Sequence, residues 1–210
     1  MFDYAEAMRE LIADVISCSR ALAHIEMSAV LVGCIKARNR EGQGLYARTI
    51  PLRFEGGSLI ATRGKVRIRI PKVTHHGKEA LYIISFCLPR FQNLSFEDKL
   101  TTIFHELYHI SPDFNGDIRR FKGTNYVHSS SQRKYDDLMR GLARDYLAAT
   151  RRPELHTFLA LSYDELCRQH GSIRLTLFRP PTPEIIKEEM GLSMTARSEE
   201  KRKKKRGRPA

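Results

Sequence analysis

His105 and His109 stand four positions apart, and Glu106 lies between them. On a helix, residues at that spacing sit one turn apart and project from the same side. Two neutral imidazoles so placed can hold a divalent metal such as Zn2+. A carboxylate beside them can take a proton from a water that the metal activates. The string His105-Glu106-Leu107-Tyr108-His109 therefore points to zinc-dependent hydrolysis, most commonly of peptide bonds.

The chemistry requires a helix at this place, and the flanking residues predict one. Ser95 followed by Asp98 reads as a capping box at its start. Pro112 disfavours helical backbone at Ser111 and sets the stop. Between them Leu100, Ile103, Phe104, Leu107 and Ile110 recur at helical spacing as one apolar stripe. His105 and His109 fall on the side away from Leu100, Phe104 and Leu107, sharing a polar face with Asp98 and Thr101. A histidine satisfied in the core would lie within the stripe. The competing reading is a pair of ordinary solvated histidines.

A catalytic zinc usually takes three protein ligands and keeps the fourth position for water. His128 is the preferred third donor. It lies 19 residues after His109, just before a second amphipathic pattern carrying Tyr135, Leu138, Met139, Leu142, Tyr146 and Leu147. Turn formers in between (Asn115-Gly116-Asp117, Gly123) let the chain loop out and return. Asp113 and Asp117 are the alternatives, either as oxygen donors or as turn formers and orienters of a histidine. Glu154, His156, Glu165 and His170 show no distinguishing pattern. The metzincin continuation is absent, since Pro112 and Asn115 stand where it would place Gly and His. Tyr126, Tyr135 and Arg119 are candidates to assist a developing oxyanion.

The segment Phe104–His109, the Gly/Asp-containing loop after it, and His128 ahead of a helix with Tyr135 resemble the SprT-like and phage-type metallopeptidases. The resemblance covers about residues 80–150 well and the N-terminal part in outline. It implies a zincin fold, with a small twisted sheet whose edge strand runs along the cleft and the metal helix behind it. By matching position it implies zinc on His105, His109 and His128, with Glu106 as the base. The Gly that commonly follows the third histidine is replaced by Ser129, and the cysteine zinc ribbon of many SprT-like proteins is missing.

The whole chain reads as α+β, a small mixed sheet packed on an N-terminal helix and on the helix of the histidine pair. Met8, Leu11, Ile12, Val15 and Leu22 trace one helical face within residues 2–24. Strands are predicted over Ser28–Arg38, Leu45–Phe54, Lys65–Ile70 and Ala80–Leu88, with a turn at Gly56-Gly57. Lys65–Ile70 alternates strictly, which predicts a half-buried strand with a cationic outer face. Residues 159–168 suggest a helix and 172–178 a short strand. The run Arg179-Pro180-Pro181-Thr182-Pro183 is expected to close a domain over 1–180, followed by a linker over 181–196.

The net charge of +12 is concentrated at the end. Residues 197–210 carry eight Lys/Arg against two Glu, a net +6. Such a segment is too polar to bury and is expected to be disordered. Within it, Lys203, Lys204, Lys205, Arg206, Gly207, Arg208 and Pro209 resemble the core of an AT-hook, in which Gly allows close approach to a narrow minor groove. A generic polybasic tail that neutralises phosphates is the alternative. Cys18, Cys34, Cys87 and Cys167 form no Cys-x-x-Cys and are expected to be reduced. No apolar stretch is long enough to span a membrane and no signal-like block opens the chain, so a cytoplasmic site of action is expected. These features together suggest a zinc peptidase acting on protein or peptide and tethered to nucleic acid. The rival readings are a non-catalytic DNA-binding protein with a structural metal, and a repressor- or toxin-cleaving peptidase whose tail is incidental.

Overall fold

A computed structural model describes residues 1–37, 44–120 and 132–186. In chain order the elements are β1 (Phe2–Asp3), α1 (Tyr4–Cys18), β2 (Val30–Lys36), β3 (Ala47–Pro51), β4 (Ile60–Arg63), β5 (Val66–Arg69), β6 (Val73–His75), β7 (Lys78–Ala80), β8 (Tyr82–Leu88), α2 (Phe96–Tyr108), α3 (Gln132–Ala149), α4 (Tyr163–His170), β9 (Ile173–Arg174) and β10 (Glu184–Ile186). The fold is α+β, as expected. Among the described residues, no helix is long and apolar enough to cross a membrane.

The central sheet has the order β2-β8-β3. It is mixed: β2 runs parallel to β8, and β3 antiparallel to it. All seven residues of β8 are buried, because each of its faces meets a different layer. Tyr82, Ile84, Phe86 and Leu88 point into the main core with α1, α2 and α3. Ile83 turns the other way and joins Leu31, Leu52 and Ala80 in a smaller cluster. That division follows from the two-residue period of a strand.

Helix α1 buries Tyr4, Met8, Leu11, Ile12 and Val15 completely. Each contributes roughly 1.5–3 kcal/mol by leaving water. Asp3 caps the helix by accepting from the Glu6 amide at 3.2 Å. Asp14, also buried, accepts from the Tyr146 hydroxyl at 3.0 Å and from Thr150 Oγ1 at 2.7 Å, which ties α1 to α3. The chain after β9 lies over β2: the Cys34 amide donates to the Thr176 carbonyl at 2.7 Å. Gly33 makes this crossing possible, since a Cβ there would stand 2.8 Å from the same oxygen.

Several elements differ from expectation. The first helix stops at Cys18 instead of running to residue 24, and a 3₁₀ turn over Arg20–Leu22 follows. The region 159–168 splits into a 3₁₀ segment, Pro153–Ala160, and α4, which starts at a complete Ser162/Glu165 capping box. β5 belongs to a separate sheet, β10-β5-β4, so its apolar alternation meets only partial cover. Val66 is 41% exposed and Ile68 half-buried. The stretch expected as a linker over 181–196 begins with β10, which pairs antiparallel with β5, so the folded part continues at least to Ile186. The remainder of that stretch and the basic tail lie outside the described residues.

Candidate metal centre

Helix α2 begins at Ser95, whose hydroxyl oxygen accepts from the Asp98 amide at 3.1 Å. Its apolar stripe is fully used: Leu100, Ile103, Phe104, Leu107 and Ile110 have no exposed surface. This anchoring fixes the direction of the opposite face. The rings of His105 and His109 lie 4.6 Å apart between centroids, at an interplanar angle of 82°.

The two imidazoles are half-buried, not freely solvated. Tyr135 from α3 covers them, its ring 5.1 Å from His105 and 6.3 Å from His109. Tyr108 packs on the same tyrosine at 5.9 Å. Tyr135 is itself 2% exposed, so α3 holds the pair in place by aromatic packing. Its hydroxyl is shifted upward from the ordinary range by burial, then by the nearby Glu106 and Tyr108.

Glu106 faces the edge of the sheet. Its carboxylate is buried, with 6% of the residue exposed. Oε2 accepts a hydrogen bond from Thr49 Oγ1 at 2.9 Å, and the same hydroxyl lies 2.8 Å from the Glu106 carbonyl. Thr49 is on β3, paired with Ile84 of β8. Burial raises the Glu106 carboxyl to about 7, while the Thr49 contacts pull it down. Among the described residues, no cation forms an ion pair with Glu106. A buried carboxylate without a countercharge, next to two imidazoles on one helix turn, suits a divalent cation.

A cleft of about 500 Å³ opens here, lined among others by Leu45, Tyr46, Thr101, His105, Glu106 and Arg140. It lies between the segment leading into β3, α2 and α3. A larger hollow of about 770 Å³ lies elsewhere, between α1, β2 and the β6–β7 hairpin, and does not include Glu106.

The other residues expected at the site are placed as follows. Arg119 clamps the end of α2: its amide donates to the His109 carbonyl and its Nε to the Tyr108 carbonyl, each at 2.7 Å. Its guanidinium also stands 4.0 Å over the Tyr108 ring. A cation there complements the negative end of the helix dipole. Asp117 is buried in the loop after α2, where its carboxylate accepts from the amides of Gly56 at 3.0 Å and Ile118 at 2.8 Å. Arg120 pairs with it at 3.0 Å. Asp113 is exposed, its amide donating to Ser111 Oγ. Among the described residues, no third His, Cys, Asp or Glu joins the histidine pair in a group able to hold a metal. His128 and Tyr126 lie outside the described residues, as do Lys203, Lys204, Lys205, Arg206, Gly207, Arg208 and Pro209.

Thr49 is the site residue that sequence reasoning missed. It lies 57 positions from Glu106, and nothing in its local pattern marks it.

A helix-borne imidazole pair beside a buried carboxylate is equipment shared by metal-dependent hydrolases. The family comparison agrees: residues 1–137 match the model described as "Putative phage metallopeptidase", and the chain belongs to that family. The matched span holds α1, the central sheet, α2 and the start of α3. Membership implies a metal cofactor and protein or peptide substrates. No curated protein and no solved structure matches the chain.

Proposed function

We propose that the protein is a zinc-dependent peptidase of zincin-like architecture. His105 and His109 would supply two metal ligands and His128 the third. The observation that carries this reading is the buried carboxylate of Glu106, with no ion-pair partner among the described residues, beside two imidazoles 4.6 Å apart. In sequence His128 stands four residues before Gln132, which begins the helix whose Tyr135 covers both rings.

Zinc, when bound, would supply Lewis acidity toward the scissile carbonyl and the attacking water. Glu106 would accept the water's proton on its carboxylate and hand it to the leaving amine. Thr49 would keep that carboxylate aimed into the cleft through its hydrogen bond. Tyr135 and α3 would shield the reacting groups from bulk water. β3 is the terminal strand of its sheet among the described residues, and an extended substrate would lie along its open side. The basic residues of 197–210 would hold the enzyme near nucleic acid, raising the local concentration of substrates bound there.

The test is metal content and proteolysis measured on wild type, Glu106→Gln and His128→Ala. Glu106→Gln should retain zinc and lose hydrolysis of a denatured protein substrate. His128→Ala should lose zinc. Hydrolysis surviving in Glu106→Gln, or full zinc retention in His128→Ala, refutes the corresponding assignment.

A further inference from the structure

Helix α2 ends at Tyr108, so His109 stands at its C-cap, beyond the last helical residue. Its backbone is still helical, with φ −68° and ψ −19°, and the chain then turns away into the Ile110–Ile118 bridge. Helix ends fray, so the spacing of the two imidazoles depends on what fixes this one residue. The helix itself supplies little. Four positions after Tyr108 comes Pro112, which has no N–H to donate to the Tyr108 carbonyl. Four positions after His109, the Asp113 amide donates instead to Ser111 Oγ at 3.3 Å. Arg119 answers both carbonyls: its Nε donates to Tyr108 and its amide to His109, each at 2.7 Å. Its guanidinium lies 4.0 Å over the Tyr108 ring, which holds the side chain against the helix end.

We infer, resting on the assignment of His109 as a metal ligand, that Arg119 is a positioning residue for the metal. The Tyr108 and His109 carbonyls belong to the two peptide planes that flank the His109 Cα. Holding both planes fixes the φ and ψ of His109, and with them the direction in which its side chain leaves the backbone. The imidazole is thereby kept on the side of His105, with its ring stacked on Tyr135. The charge of Arg119 cannot produce this effect, because a nearby positive group repels a dication. Positioning and charge therefore predict opposite signs when the side chain is removed. Loss of a group that orients a metal-bound histidine lowers metal affinity by about 10–100-fold.

The experiment compares full-length wild type, Arg119→Met and Arg119→Lys. Zn2+ affinity is measured by chelator competition, coordination geometry by the visible spectrum of the Co2+-loaded protein, and ring contacts by NMR on metal-free protein. Arg119→Met should bind Zn2+ at least about tenfold more weakly, although loss of the positive charge alone would tighten binding. Its Co2+ spectrum should change, and the His109–Tyr135 ring contact should weaken while the His105–Tyr135 contact stays. Arg119→Lys keeps the charge without the guanidinium plane; it should also bind Zn2+ more weakly, and it serves if Arg119→Met does not fold. Unchanged or tighter Zn2+ binding with an unaltered Co2+ spectrum, even in a variant of lower unfolding midpoint, overturns the inference. A wild type that binds no Zn2+ defeats the metal reading instead, and the ring contacts of the metal-free protein still decide whether Arg119 fixes His109.

Discussion

Replacing Glu106 by Gln in chelator-treated protein should stabilise it, by an amount that grows with pH. The folded state holds the Glu106 proton up to about pH 7, because ionising the carboxyl means charging a buried group. An unfolded Glu releases its proton near 4.5. The folded protein thus binds more protons between these values, and stability from this group, fully present below 4.5, is lost as pH rises through about 7. A shift of that size corresponds to about 3 kcal/mol, reached once the pH passes the upper value. Gln keeps an oxygen to accept from Thr49 and never ionises, so the variant lacks the slope. Urea unfolding of both proteins at pH 5, 6, 7 and 8 reads the effect as a difference, in which all other titrating groups cancel. The stability gap should widen by roughly 2–3 kcal/mol from pH 5 to pH 8 in favour of the variant. A gap that stays constant would mean Glu106 is hydrated or already neutralised, and the argument for a cation beside it would fall.

Other substitutions probe the frame around the site. Asp117→Ala should cost about 2–3 kcal/mol in urea unfolding, since the Gly56 and Ile118 amides lose a buried charged acceptor. Lys99 donates from a buried Nζ to the Leu159 and Leu161 carbonyls at 2.7 and 2.9 Å, and burial lowers it to about 8. Its contribution is present above pH 10.5 and lost as pH falls through about 8, so stability should rise between these values. Lys99→Met should flatten that rise in a pH series of unfolding curves. Deleting 197–210 should reduce the salt slope of DNA binding, and an unchanged slope would remove the tail from the function.

What the sequence made legible was what is local. The Ser95 cap, the stripe from Leu100 to Leu107 and His105 follow from spacing within one helix and lie on α2 as expected, while the helix ends at Tyr108, with His109 as its C-cap and Ile110 in the bridge beyond it. Contacts between distant segments left no such trace. Thr49 reaches Glu106 only because β3 pairs antiparallel with β8 and runs beside α2. Alternation at Lys65–Ile70 specifies two faces but not what covers them, and the small sheet leaves Val66 largely uncovered. The prolines at 180–183 interrupt regular structure without ending the fold, since β10 then returns to β5. The sequence offers Arg119 as a candidate to assist an oxyanion and carries no mark of its contacts with α2. Its clamp on the carbonyls of α2 depends on a loop closure that the Ile110–Ile118 bridge makes.

The crossing over Gly33 has a consequence for how this molecule meets other polypeptides. With Thr176 laid against Cys34, one flank of the central sheet is obstructed, and strand addition is steered to the flank where Thr49 and Glu106 reside. A guest lodged there would also act as a stopper against stacking of one copy on another. Enlarging Gly33 would dislodge the obstruction and give the sheet a second sticky border.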